Sequence, residues 1–279
     1  MDRFTFENNR YKINDYENSK PFSSFLPGIS GLNGIPMWTF YVNRGQGISG
    51  FGVQDKDHPM MEFSPEAIAY KDVYTRGFRT FVRAENGHVE EPFGERRESQ
   101  TMEISMEKFA IQEERKGLRF RVEYVTVPHS PFAGILRKLT VTNIGDQARK
   151  IECLDGIPEI IPYGVSNENY KAMGNLLRSW MSVENLDAGI PYFTLRASTE
   201  DEAEVKAVER GHFALSWDRK GSKLPNLVDM ERIFGQDSSL RNPEGYQGKS
   251  IKKLIKEEIA TANKLPGYFT GVEWKLQAG

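Results

Sequence analysis

The chain has 279 residues, with 37 basic against 39 acidic side chains and a net charge of −2. That balance leaves no basic stripe for nucleic acid and no long charged tail for disorder, and a length of this order supports a sizeable core without disulfides or metals. The single cysteine, Cys153, fits a reducing compartment; no secretory leader is visible from Met1 to Phe6 and no segment nears the ~18 apolar residues of a membrane span, so the expected location is cytoplasmic.

Residues 21–83 hold the most informative pattern. Phe22 and Phe25 precede Pro27-Gly28, and an aromatic strand, Met37-Trp38-Thr39-Phe40-Tyr41-Val42, runs into the glycine hairpin Asn43-Arg44-Gly45-Gln46-Gly47. Phe51-Gly52-Val53 returns, and Asp55-Lys56-Asp57-His58-Pro59 reads as a turn. Ser64-Pro65 then predicts an N-cap with proline at the first helical position, opening a short helix toward Tyr74.

Period-two alternation dominates the rest. Phe109 and Ile111 lead through Arg115-Lys116-Gly117, a glycine-closed hairpin, to Leu118, Phe120, Val122 and Tyr124 on one face. Ile135, Leu139 and Val141 oppose Lys138, Thr140 and Thr142, and the turn 143–147 feeds a strand around Lys150 to Leu154. Phe213, Leu215 and Trp217 predict another strand, and Thr270, Val272, Trp274 and Leu276 the last. Ser166 predicts a helix with Tyr170, Met173, Leu177 and Trp180 on one face, and Ile251, Leu254, Ile255 and Ile259 a further helical stripe. Residues 219–265 read as a long loop and helix excursion within a single β-sandwich domain, 1–279, whose strand-terminal end at Gly279 looks cut.

Several motifs have a functional and a plain reading. Gly45-Gln46-Gly47-Ile48-Ser49-Gly50 matches a dinucleotide fingerprint, but no helix follows it to face a pyrophosphate, so a hairpin is the better reading. Asp55, Asp57 and His58 supply metal-ligand atoms, yet Asp-Lys-Asp before proline is ordinary turn chemistry. No cofactor or metal is expected, and no nucleophile is nominated. The candidate sugar contacts are Arg44, Gln46, Trp38, Asp57 and His58: aromatic faces stack on pyranose C–H faces, and the polar groups hydrogen-bond hydroxyls or phosphate. Trp38 and Tyr41 fall on opposite faces of an unbulged strand and do not share one site.

On the 21–83 block, Leu136-Arg137-Lys138-Leu139-Thr140-Val141-Thr142-Asn143 and the stretch from Val228-Asp229 to Phe234-Gly235, the chain resembles the amino-terminal domain of glycoside hydrolase family 94, the cellobiose-phosphorylase-like enzymes, in their oligoglucan phosphorylase branch. The resemblance implies an all-β fold with minor helices, a large antiparallel, galactose-mutarotase-like supersandwich. It also implies a non-catalytic role: supporting a helical catalytic barrel that this chain lacks, dimerisation as a homodimer, and access for β-linked gluco-oligosaccharide and phosphate. In that family an aspartic acid of the barrel protonates the leaving oxygen, so no catalytic residue carries over. Two other readings stand: a carbohydrate-binding protein without chemistry, and a mutarotase-like sugar epimerase that would need a carboxylate converging with His58, His129 or His212.

Overall fold

The computed structural model describes residues 3–28, 30–97, 99–198, 203–204, 206–257 and 259–279; Ile29, inside the 21–83 block, lies outside them. In chain order come β1 (Phe4–Glu7), β2 (Arg10–Asn14), β3 (Ser23–Leu26), β4 (Met37–Val42), β5 (Ile48–Val53), β6 (Pro59–Met61) and the helix α1 (Glu66–Asp72). Then follow β7 (Arg79–Ala84), β8 (Val89–Glu90), β9 (Gln100–Ile104), β10 (Phe109–Arg115), β11 (Leu118–Thr126), β12 (Ile135–Asn143), β13 (Arg149–Ile157) and α2 (Asn167–Leu177). β14 (Met181–Glu184), β15 (Tyr192–Leu195), β16 (His212–Phe213), β17 (Asn226–Leu227), α3 (Met230–Phe234), α4 (Glu244–Gly248), α5 (Ile251–Lys256) and β18 (Tyr268–Leu276) complete the order.

Among the described residues these strands form sheets ordered β1-β2-β9-β10-β11-β12, β17-β18-β13-β7-β8, β3-β4-β5-β6 and β14-β15-β16. The strand pairings within them are antiparallel, so the all-β reading with few helices holds. The β10–β11 hairpin closes on Lys116 and Gly117, both at positive φ, as a two-residue turn matched to strand twist requires. Alternation along β11 buries Leu118, Phe120, Val122 and Tyr124 and leaves Arg119, Arg121 and Glu123 half-covered outside.

The main core lies between the inward faces of the two largest sheets, with Met102, Ile111 and Val122 from one and Val82, Ile151 and Cys153 from the other. Cys153, a free thiol 1% exposed, sits between Val82 and Val272 on the neighbouring strands. The β3–β6 sheet adds to this core the face that carries Leu26, Met37, Tyr41 and Phe51: the Tyr41 ring stands 4.9 Å from Phe109, and Phe51 stacks on Phe78 at 5.9 Å. Its other face carries Trp38, Phe40 and Val42 against α1 and Phe63. Trp38 and Tyr41 thus occupy opposite faces despite a register shift between Phe40 and Tyr41.

The 219–265 stretch is a packed cover. Leu227, Met230, Ile233, Phe234, Tyr246, Ile251 and Leu254 lie on Phe81, Leu154 and Phe269, the outer face of the β7–β13–β18 sheet. Two arginines of β7 pin it down. Arg79 pairs bidentately with Glu91 at 2.6 and 2.7 Å and donates to the carbonyls of Leu240 and Arg241. Arg83 pairs with Glu152 at 3.0 Å and donates to the carbonyls of Tyr246 and Lys249. Such charge-assisted bonds tie the loop before α4 and the C-terminal end of α4 to the sheet.

Three local expectations need correction. The predicted strand through Phe213, Leu215 and Trp217 is only His212–Phe213, because β15 pairs with those two residues alone; Trp217 makes an isolated bridge to Lys223 and is 50% exposed. Pro65, not Ser64, is the N-cap of α1: the Pro65 carbonyl accepts from Ile68 and Ala69, and the Ser64 hydroxyl turns to Glu62 at 3.2 Å. In α2 the Ser166 cap is as expected, accepting from the Asn169 N–H, but non-helical φ/ψ at Met173 turns that residue outward while Tyr170 and Leu177 stay buried.

Candidate functional site

The β4–β5 hairpin sends its two ends to different environments, and the five candidate contacts divide between them. At the tip, Arg44 and Gln46 are 5% and 3% exposed. Arg44 donates to the carbonyls of Asn43 at 2.6 Å and Ser19 at 3.1 Å. Gln46 donates to the Thr80 hydroxyl at 3.1 Å and accepts from Arg137, which also pairs with Asp155. Thr80 in turn donates to Asp155 at 2.6 Å, and Arg137 Nε donates to the Tyr124 hydroxyl at 3.3 Å. Glu17, wholly buried, accepts from the Gly45 N–H and from the Tyr74 hydroxyl. Burial holds the Glu17 carboxyl above its usual range, against the opposing pull of those hydrogen bonds. Gly45 and Gly47 take positive φ there, and a Cβ on Gly47 would lie 2.3 Å from the Phe109 ring. The tip is therefore a structural plug, in which Arg44 and Gln46 are buried and bonded to protein groups.

Roughly 20 Å away, six strand residues along, the open end of the hairpin carries Trp38, Asp57 and His58 together. The loop from Val53 to His58 is closed by the Val53 N–H donating to the His58 carbonyl at 2.9 Å. Asp55 caps it from within, accepting from the Asp57 N–H at 2.9 Å. The Trp38 indole N–H donates to the Asp55 carbonyl at 2.6 Å, so the tryptophan props the turn from below. Gly52 makes the close approach possible, since a Cβ there would meet the His58 carbonyl at 2.4 Å and the Trp38 ring at 2.7 Å.

His58 Nδ1 lies 2.8 Å from Asp55 Oδ1. The hydrogen bonds from His58 and from the Asp57 N–H hold the Asp55 carboxyl below its usual range. An ionised carboxylate only accepts, so Nδ1 of His58 donates this hydrogen bond. The His58 ring stacks on Tyr163 at 6.2 Å, and Tyr163 meets His212 edge-on at 5.8 Å. Arg210 lies 5.9 Å over the Tyr163 ring. His212 is 7% exposed, and burial with the neighbouring His58 pushes it down to about 4, which keeps its imidazole neutral.

Beside this turn is an open hollow of about 570 Å³ lined by Lys56, Asp57, Phe63, Asn167, Glu168 and Lys171. Asn167, at the start of α2, accepts from the Phe63 N–H at 3.0 Å and donates back to its carbonyl at 3.3 Å, which fixes the helix against the sheet. Lys56 pairs with Asp57 at 2.8 Å. Two lysines, two carboxylates and the Phe63 ring thus line the hollow together.

Sequence reasoning selected Asp57, His58 and Trp38 and missed Tyr163 and Arg210. It had His212 and His129 as separate candidates; His129 lies against Gly31, while His212 joins His58. Among the described residues no group of three or more His, Cys, Asp or Glu side chains is placed to hold a metal ion. No family model and no curated protein matches the chain.

Proposed function

We propose that this chain is a non-catalytic supersandwich module of a carbohydrate-active protein, serving as the amino-terminal domain of a β-glucan or β-oligosaccharide phosphorylase. One observation carries the reading: within the 21–83 block, on which the family resemblance partly rests, β3–β6 form one sheet whose inner end is locked into the core and whose outer end offers a rigid imidazole–carboxylate turn beside an open, mixed-charge hollow. Rigid scaffolds with polar loop ends are how β-sandwiches present contacts to a polar ligand. The role fits shaping substrate access to a helical barrel, with Asp57, His58 and Lys171 touching β-linked gluco-oligosaccharide.

Calorimetric titration with β-linked gluco-oligosaccharides should give heats that vanish in Asp57→Ala and His58→Ala. The chain by itself should not convert sugar phosphate and acceptor to oligosaccharide; such conversion would refute the non-catalytic role.

A second reading, a mutarotase-like epimerase, is favoured by the pairing of His58 with Asp55 and the nearness of His212. There Nε2 of His58 would take the anomeric hydroxyl proton and a neighbouring group would return one to the ring oxygen. Polarimetry decides it: acceleration of anomer interconversion lost in His58→Ala supports the epimerase, and no acceleration by the parent chain removes it.

A further inference from the structure

The edge strand β1 lies at one end of the six-stranded sheet and pairs with β2. Of the devices that protect an edge, it has no proline, no lysine and no register shift against β2. Phe4 stands opposite Ile13 and Phe6 opposite Tyr11, so all four side chains share one face of the sheet. Ile13 on that face is fully buried in the main core. Beyond Ile13 the face runs out from under its cover: Phe4 is 49% exposed, Phe6 69% and Tyr11 38%. The Phe4 and Tyr11 rings lie parallel at 6.0 Å, an apolar platform facing solvent.

Backbone polarity then limits what fits. The Asn14 N–H donates to the Arg3 carbonyl at 2.8 Å. Asn8 and Asn9, both at positive φ, form a two-residue turn that makes Glu7 and Arg10 the closing hydrogen-bonded pair. Odd-numbered residues of β1 therefore direct their N–H and C=O groups to β2, and Phe4 and Phe6 direct theirs to the free edge.

We propose that β1 pairs antiparallel with β1 of a second copy of this chain, about a two-fold axis at Thr5, joining two six-stranded sheets into one. Centring on Thr5 sets Phe4 opposite Phe6 of the second copy, in the hydrogen-bonded positions that use the free edge groups. It also sets Arg3 opposite Glu7 of the second copy at both ends of the ladder. Centring on Phe4 or on Phe6 loses both ion pairs. The strand is thus complementary to itself in hydrogen bonding, in charge and in its aromatic face, as an isologous interface requires. Arg3 is placed for this, its side chain 48% exposed while it bridges Asp15 at 3.3 Å. The inference does not depend on the phosphorylase reading.

Sedimentation from low micromolar to a few hundred micromolar protein should carry the chain from 31.9 kDa to twice that mass. Arg3→Glu alone and Glu7→Arg alone each set like charges together at both ends and should weaken self-association about tenfold or more. An equimolar mixture of the two variants should dimerise again, because every facing pair then has opposite signs. Thr5→Cys should oxidise to a covalent dimer, since facing residues in a non-hydrogen-bonded pair are about 4.5 Å apart at Cα. Glu7→Cys should not, because its counterpart lies roughly 14 Å away along the strand. Circular dichroism matched to the parent separates lost pairing from lost folding. A chain that stays at 31.9 kDa throughout, a dimer indifferent to both charge reversals, a mixture that stays monomeric, or equal cross-linking at both cysteines would each overturn the proposal.

Discussion

The two ends of the β4–β5 hairpin use similar residues to opposite effect. At Asn43–Gly47 every polar side chain is buried and bonded. Asn43 alone donates to the Ser19 hydroxyl and the Lys20 carbonyl at 2.9 Å each and accepts from the Phe22 N–H at 3.0 Å. At 55–58 Asp55 keeps 60% of its side-chain exposure and His58 35%. What differs is what lies beyond each turn. The tip runs into the joint between sheets, where unpaired carbonyls and N–H groups must find partners. The other end runs into solvent, where the same turn chemistry leaves imidazole and carboxylate groups free to meet a ligand.

Removing a charge at the plugged end should do the most damage. Arg137→Ala leaves Asp155 buried without its cation, and urea unfolding should show a loss of about 3–5 kcal/mol. The contrast between the ends fails if the loss is below about 1 kcal/mol. The open end has its own buried member in His212. An imidazole of the unfolded chain titrates near 6.5 while folded His212 stays neutral to about pH 4. The unfolded state then takes up the proton first, so stability should be intact above pH 6.5 and fall by about 3 kcal/mol as pH drops to 4. His212→Gln should flatten that slope in acid titrations followed by fluorescence.

Asn43→Ala should cost about 2 kcal/mol by thermal or denaturant unfolding, because it strands several buried backbone groups at once. The smallest change in stability belongs to His58→Ala. Within about 0.5 kcal/mol of the parent, it should nevertheless lose sugar heats in calorimetry. A large destabilisation there would make the outer turn a second plug.

The strands were readable wherever one face is solvated. β11 and the outer half of β18 follow their alternation, and the Lys116-Gly117 turn its glycine. Arg137 was not singled out, although its parity with Ile135, Leu139 and Val141 is a signal that would have placed it on the inward face. The site was only half visible. Turn chemistry marked Asp55–His58, but Tyr163 and His212 reach it through tertiary packing between segments far apart in sequence, which no local pattern encodes. The burial of Arg44 and Gln46 was not legible: a glycine-rich turn specifies backbone shape, and whether its polar side chains meet water or core depends on the sheets it abuts.

Cys153 gives the molecule an internal clock. Its thiol is sealed between the two main sheets, and burial pushes it well above the ordinary thiol range. An alkylating reagent meets it only when β13 parts from its neighbours, so labelling measures how often the sandwich opens. One mass shift per chain then times the whole core's breathing without any introduced probe.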